Sequence, residues 1–528
     1  MEITRLNIEG AKPAPLSQAE INQQVALLAA LAAFAVSLVA RFIVGAPLLP
    51  ELLADFIFAV LPISLIEFGV SLLGPFAKHL AFAGCVALYL VALTGAGILC
   101  LRRRGRGRWT NGVLMVLAAW ALTMFAIVPL LGGGFLGREL RQGPTVWSAW
   151  MLAVYIVLAA ALELFSRLHE KEQPADSVLG RALFSNSGQG IIGRRRALRW
   201  MGYAVVGVAV YDIGRALLIP WLKSGSGRVS KGSGVFPELD GLALEVTPTG
   251  DFYEVSKNTA DPDVDVKRWK LEIGGEVETQ VWFTYDELKL LPSVQQYATL
   301  ECISNGVGGD LIGNASWRGV RLKDLLDRAV LKSDTVDIVL RASDGYADSI
   351  PVDQAMAEGV ILAYEMNGAP LNQTHGFPLR LIVPGIYGMK NVKWITRIEA
   401  VSYDFKGYWQ ARGWDDRAIY KTMSRIDAPR KAAPGQVAIA GIAFAGDRSI
   451  SKVEVSTDGG KTWELAQIRP ALSPYSWVLW HSEWEASAGS HSLVVRATDG
   501  KGVVQTSQRV PPIPDGASGY DSRSVQIG

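Results

Sequence analysis

Between about residues 25 and 165 the chain is dominated by Ala, Leu, Val, Ile and Phe, in five stretches near the roughly 20 residues that cross a bilayer as a helix. They run Ala26–Ile43, Leu52–Leu73, Leu80–Leu101, Gly112–Leu131 and Val146–Phe165. A sixth, Trp200–Trp221, is interrupted by Asp212 and Arg215. Runs of this length satisfy their backbone polar groups in lipid only as helices. The first 222 residues therefore read as a transmembrane α-helical bundle of about six helices, embedded in a lipid bilayer.

The basic loops set the orientation. Arg102, Arg103, Arg104, Arg106 and Arg108 lie between the third and fourth stretches, and Arg167, Lys171, Arg181 and Arg194–Arg196 between the fifth and sixth. Two helices separate the loops, so both can be cytoplasmic. The N-terminus and everything after about residue 223 then face the outside. This predicts a multi-pass cell-membrane protein with its globular part on the extracytoplasmic, periplasmic side. Arg195-Arg196-Ala-Leu-Arg199, ahead of the sixth stretch, reads either as an internal twin-arginine export signal or as ordinary positive-inside anchoring. Of the five histidines only His79 and His169 fall near the bundle, too few for facing haem ligands, so no haem is expected. Glu67 and Glu163 are intramembrane acids without an assigned role.

Net charge is +2, which gives no reason to expect a nucleic-acid partner. A Gly/Ser-rich linker at 223–239 leads into mixed strand and helix signals. Trp269–Gly275, Leu379–Val383 and Val392–Val401 alternate like strands, while Phe283–Leu291 and Gly319–Ala329 read as short capped helices. The segment 240–427 is thus an α+β domain. From about 428 the pattern changes to short strands with Asp-Gly turns at Asp458 and Asp499, predicting an immunoglobulin-like β-sandwich over 428–528.

One cysteine, Cys302, stands outside the apolar region, in Ala298-Thr-Leu-Glu-Cys-Ile-Ser-Asn-Gly-Val-Gly-Gly-Asp310. It has no domain-mate for a disulfide. It is either a buried small hydrophobe or a thiol offered to something held close to backbone. A second rich segment, His375-Gly-Phe-Pro-Leu-Arg380-Leu-Ile-Val-Pro-Gly385-Ile-Tyr-Gly388-Met-Lys390-Asn-Val-Lys393-Trp394, combines donors with glycines that permit close approach. Such a stretch suits a phosphorylated, hydrogen-bond-rich ligand, whereas a solvated basic loop would not explain its apolar flanks.

From about 240 to 528 the chain resembles the sulfite oxidase family of molybdenum enzymes. Cys302, preceded by Thr299-Leu300-Glu301 and followed by Ser304-Asn305, matches the cysteine that binds molybdenum in that family. His375–Arg380 and Asn391-Val392-Lys393, with Lys390 beside them, match its pterin-contacting stretches. Thr247-Pro248, Phe252-Tyr253 and Lys257 match the first pterin contact, and Asp344 a further pterin-proximal acid. Asp458-Gly-Gly-Lys-Thr-Trp463 belongs to the family's dimerisation sandwich. The resemblance implies a molybdenum–molybdopterin cofactor, oxygen-atom transfer, a possible homodimer through the sandwich, and a separate redox partner (a cytochrome or quinone). A non-catalytic docking or assembly protein that keeps the fold is the alternative.

The resemblance breaks where the family binds sulfite. Two expected arginines fall on Val255 and Val307, the tyrosine falls on Trp414, and no arginine is apparent near Pro511–Gly519. Arg412 is one remaining cation. Losing such contacts, at about 1.5–3 kcal/mol each, favours a neutral or bulkier substrate such as an S-oxide. A sulfite dehydrogenase with an altered anion site is a further alternative. Cys302, Arg412 and Trp414 are the candidate catalytic residues. Glu301 and Tyr387 are possible pocket residues, although ordinary packing explains either one better.

Overall fold

The computed structural model describes residues 17–44, 46–61, 65, 76–102, 108–138, 140, 143–170, 239–258 and 261–528. Contacts divide the chain into two units, within Met1–Leu218 and Ile219–Gly528. The first contains α1 (Gln18–Val44), α2 (Leu49–Val60), α3 (Phe76–Arg102), α4 (Arg108–Leu122) and α5 (Gly143–Glu170). Helix α4 passes through a π-helical turn at Thr123–Ile127 into Val128–Leu130. Ala26, Ala29, Ala30 and Ala33 recur at helical spacing on α1 and are fully buried, small enough to let neighbouring helices approach. The buried hydroxyls of Thr123 and Tyr155 hydrogen-bond across the bundle at 2.6 Å. Leu88, Val91, Leu99, Leu114, Leu117 and Phe125 are left exposed.

Four helical segments, Gln18–Arg41, Leu80–Arg102, Val113–Leu130 and Gly143–Arg167, are long and apolar enough to cross a membrane. They cover four of the expected stretches. The other, Leu52–Leu73, is described as helix only in part, since α2 has 12 residues; most of the remainder lies outside the described residues, as does Glu67. The Trp200–Trp221 stretch, the twin-arginine segment and the Gly/Ser linker also lie outside them, and the side chains of His79 and His169 are not described. Glu163 is ion-paired to Arg167 at 2.7 Å, one helical turn on.

In the second unit the α+β part is built from β1 (Lys270–Gly275), β2 (Val281–Thr284), α6 (Tyr285–Leu290), β3 (Val294–Glu301), β4 (Ile312–Arg321) and α7 (Leu322–Ala329). It continues with β5 (Asp337–Ala342), β6 (Ala347–Pro351), α8 (Val352–Ala355), β7 (Ile361–Met366), β8 (Ala369–Pro370), β9 (Arg380–Ile382) and β10 (Ile395–Val401). One sheet has the order β2-β1-β10-β5-β6; the other runs β3-β4-β7-β8, with β9 paired to β7. Both expected helices start later than the sequence suggested. Phe283 and Thr284 pair with β1, and Thr284 then caps α6 through reciprocal bonds with Glu287. Gly319–Arg321 complete β4 before α7 begins, because their backbone groups pair with β3 and β7.

The C-terminal part has two four-stranded sheets. Strands β11 (Met423–Ala428), β12 (Gly435–Phe444), β15 (Gln467–Ile468) and β16 (Val478–Ala486) form one, in the order β11-β12-β16-β15. Strands β13 (Ile450–Ser456), β14 (Glu464–Leu465), β17 (Gly489–Asp499) and β18 (Asp521–Ile527) form the other, in the order β14-β13-β17-β18. Ile439, Val453, Trp480, Leu493 and Val495 fill the space between them. The strands begin at Met423, five residues before the expected boundary at 428. Phe444, Trp477 and Leu479 join the core of the α+β part. Trp477 also donates its indole N–H to Glu245 O at 3.1 Å and its backbone N–H to Thr299 Oγ1 at 2.9 Å. The two parts are thus continuous, and the sandwich braces the strand that leads to Cys302.

Candidate active site

Strand β3 ends at Glu301, and Cys302 opens a tight loop. Its N–H donates to Leu311 O and its carbonyl accepts from Asn305 N, both at 2.9 Å. Asn305 closes the loop from inside: Nδ2 donates to Glu301 Oε1 at 2.9 Å and Oδ1 accepts from Leu311 N at 3.0 Å. The Cys302 sulfur lies 2.9 Å from Ser304 Oγ. Burial pushes the thiol pKa up, and the Ser304 hydrogen bond pulls it back. Glu301 is buried beside it, its pKa pushed up to about 7 by burial.

Cys302 opens into a cavity of about 100 Å³. Tyr253, Lys257, Asp344, His375, Arg380, Asn391, Val392, Lys393 and Trp414 also line it, so most of the residues selected from sequence converge there. Lys257 donates to Asp344 O at 3.1 Å. Lys393 donates to Ser256 Oγ and Thr374 O, each at 2.9 Å, and burial pulls its pKa down to about 8. Arg380 Nη1 reaches His375 O at 3.4 Å, with the guanidinium 5.4 Å from the Trp317 ring centre. His375 Nε2 is 2.8 Å from Thr249 O. Burial raises the pKa of Asp344 while Lys257 opposes that shift.

Three selected residues are placed elsewhere. Asn305 builds the Cys302 loop. Lys390 is buried against Asp348, Ser349 O and Asp416 at 3.1, 2.8 and 3.3 Å. Arg412 folds back onto its own segment, with its guanidinium 3.7 Å from the Tyr408 ring centre and Nη1 bonded to Tyr408 O. Arg412 therefore does not replace the missing anion-site cations on the cavity wall. Glu301 and Tyr387 do not line the cavity either. Gly388 allows a close approach to protein: a Cβ there would lie 2.5 Å from the Tyr253 hydroxyl.

Sequence reasoning missed Ser304, Tyr346, Met389, Trp394 and Trp409 as lining residues. Trp409 stacks on Trp414 at 4.3 Å and 15°. It also missed Arg509, which shares a separate recess with Val307 just ahead of the Pro511–Gly519 segment.

Three buried polar atoms in the cavity wall lack a partner: the Tyr253 hydroxyl, Arg380 Nε and Trp414 Nε1. Buried donors without partners are rare and mark places where a ligand completes the bonding. With Lys257, Arg380 and Lys393 against the single acid Asp344, the donor set suits an anionic, phosphate-bearing group. Among the described residues no three His, Cys, Asp or Glu side chains converge as a metal site. Cys302 could therefore hold a metal only alongside ligands that a cofactor brings.

A thiol and a set of cations thus face one cavity, in a two-sheet domain joined to a sandwich. Residues 258–409 match the model of the oxidoreductase molybdopterin binding domain, and 417–513 match that of the Mo-co oxidoreductase dimerisation domain. The mitochondrial sulfite oxidase of Drosophila melanogaster is 30% identical over 320 residues, covering 50% of this chain and 56% of that protein. The uncharacterized oxidoreductase YuiH of Bacillus subtilis (strain 168) is 30% identical over 197 residues, covering 37% of this chain and 92% of that protein. The sulfane dehydrogenase SoxCD from Paracoccus pantotrophus shares the fold, with a TM-score of 0.51 at 24% identity over 58% of this chain and 90% of that one. The chain belongs to the sulfite oxidase family of molybdopterin-dependent oxidoreductases and is an enzyme of that class. It spans 56% of the length of the Drosophila sulfite oxidase and 82% of that of the Arabidopsis thaliana one.

Proposed function

We propose that the chain is a membrane-anchored oxygen-atom-transfer enzyme that acts on an uncharged S-oxide-type substrate, not on sulfite. The observation that carries this reading is the lining of the Cys302 cavity. Val255, Met389, Trp409 and Trp414 share the wall with the thiol, and the wall's cations are Lys257, Arg380 and Lys393, which the cofactor would occupy. Sulfite, a dianion, would lack the charge-assisted contacts it needs beyond the cofactor.

In this reading Cys302 holds molybdenum, while Lys257, His375, Arg380 and Lys393 hold the phosphate and polar edges of the pterin. The bound group supplies a two-electron couple and a site for oxygen transfer. The chain's own residues do the rest. Ser304 hydrogen-bonds the Cys302 sulfur and favours its thiolate. The Trp409–Trp414 pair excludes water, and the buried Trp414 N–H donates to a substrate oxygen. Reducing a sulfoxide takes up two electrons and two protons and releases a thioether and water. The electrons come from a separate cytochrome or from a quinone.

The apolar helices would anchor the enzyme with its catalytic part on the extracytoplasmic side, as the basic loops suggest. Pairing of two sandwiches would make a homodimer. A sulfite dehydrogenase with a rebuilt anion site is the second reading, favoured by Arg509 beside Val307. Metal analysis of the purified full chain, followed by turnover with dialkyl sulfoxides, N-oxides, nitrate and sulfite, tests both. Molybdenum with sulfoxide turnover supports the first reading, molybdenum with sulfite turnover the second, and absence of molybdenum sinks both.

A further inference from the structure

Asp348 is fully buried, and its carboxylate joins three segments around the cavity. From just ahead of its own strand, Tyr346 Oη donates to Oδ2 at 2.9 Å. From the loop that carries Asn391, Val392 and Lys393, Lys390 Nζ donates to Oδ1 at 3.1 Å. From the segment that carries Trp409 and Trp414, Gln410 Nε2 donates to Oδ2 at 3.2 Å. Lys390 also reaches Asp416 Oδ1 at 3.3 Å, and Asp416 Oδ2 accepts from Lys406 at 2.7 Å, so the same network holds both ends of that segment. The fit is close: a Cβ on Gly407 would lie 2.7 Å from Asp348 Oδ1 and 2.6 Å from Gln410 Oε1.

A buried ion pair adds little net stability, because desolvation offsets the attraction, and its best-attested use is to fix register. We propose that Asp348 is a positioning residue: with Lys390 it sets the Trp409–Trp414 wall against the cofactor-side loop. The substrate side of the cavity then takes shape only when that loop is in place. This rests on reading the aromatic wall as the substrate side, so the first measurement needs no substrate.

The test is hydrogen exchange by mass spectrometry on the full-length protein in detergent, comparing Asp348→Asn, Lys390→Met and the double variant with the parent. Exchange over 404–416 should rise about tenfold in each single variant, where the tie is lost and one buried charge is stranded, and stay raised in the double variant, where the tie is equally absent. Strands β3 and β4 and the molybdenum content should not change. Gly407→Ala, which presses on the same carboxylate without removing charge, should give the same pattern. With dimethyl sulfoxide and a reduced viologen, KM should rise about tenfold while kcat stays within about threefold. Unchanged exchange over 404–416 overturns the proposal, and so does a uniform rise across the domain with loss of molybdenum, which would make the pair a general brace. If dimethyl sulfoxide is not turned over, the substrate reading fails while the exchange result still decides this one.

Discussion

Lys393 should make the cofactor-free enzyme more stable as the pH rises above neutrality. Its ammonium donates to Ser256 Oγ and Thr374 O and lies 4.2 Å from the Trp394 ring centre, so neither hydrogen-bond acceptor carries a charge. Burial therefore lowers its pKa from 10.5 to about 8. In the unfolded chain it keeps its proton to about 10.5, so between these values the unfolded state binds more protons than the folded one. Stability must then rise across that window. The cost of burying the charge is present in full below about pH 8 and gone above about 10.5. At about 1.4 kcal/mol per pH unit it amounts to about 3 kcal/mol, or about 5 °C in Tm for a unit of this size. A phosphate beside Nζ would keep the proton on, so the rise should vanish in loaded enzyme and the affinity for the cofactor should fall above about pH 8. Thermal unfolding of the full chain in detergent, made without molybdopterin and compared with Lys393→Met, isolates this group. The parent should gain about 5 °C on the variant between pH 7.5 and 10.5. A gap that stays constant over that range would refute the reasoning, and an equal gain in loaded enzyme would remove Lys393 from the cofactor's contacts.

Cys302→Ser should abolish turnover and lower the molybdenum content while shifting Tm by no more than about 3 °C, since one sulfur at a cavity wall is exchanged for oxygen; metal analysis beside a melting curve checks it. Val255→Arg should improve sulfite binding by about tenfold to a hundredfold, the value of one charge-assisted contact. Competition by sulfite against turnover measures this, and no gain would count against the charge deficit as the reason for excluding sulfite. Trp414→Phe keeps a ring against Trp409 but removes the unpartnered N–H, so KM for a sulfoxide should rise about threefold to tenfold. An unchanged KM would remove the indole from substrate recognition.

What the sequence could reveal depended on the range of the interaction. Hydropathy is a property of neighbours, so Gln18–Arg41 and Gly143–Arg167 were legible as long apolar helices. Thr284 as the α6 cap was not, because Phe283 and Thr284 are claimed by pairing with β1, which only the fold brings beside them. The site divides in the same way. Cys302, His375, Arg380 and Lys393 were legible because donors next to glycine, within a few residues of one another, form a local pattern. Lys390 belongs to that pattern, yet its ammonium turns to Asp348, 42 residues away in sequence. A basic residue in a glycine-rich loop reads the same whether it faces a ligand or a buried carboxylate. Arg412 failed for the opposite reason: its partner Tyr408 is four residues away, but stacking on that ring takes the guanidinium off the wall. Trp409 and Tyr346 were overlooked because an aromatic in an apolar context carries no sign of which side of it faces a cavity. The motif therefore located the thiol and the basic wall of the cavity, where particular residue types stand close together in sequence. The aromatic wall of the cavity depends on packing between segments distant in sequence, with Trp409 stacked on Trp414 and Gln410 bonded to Asp348.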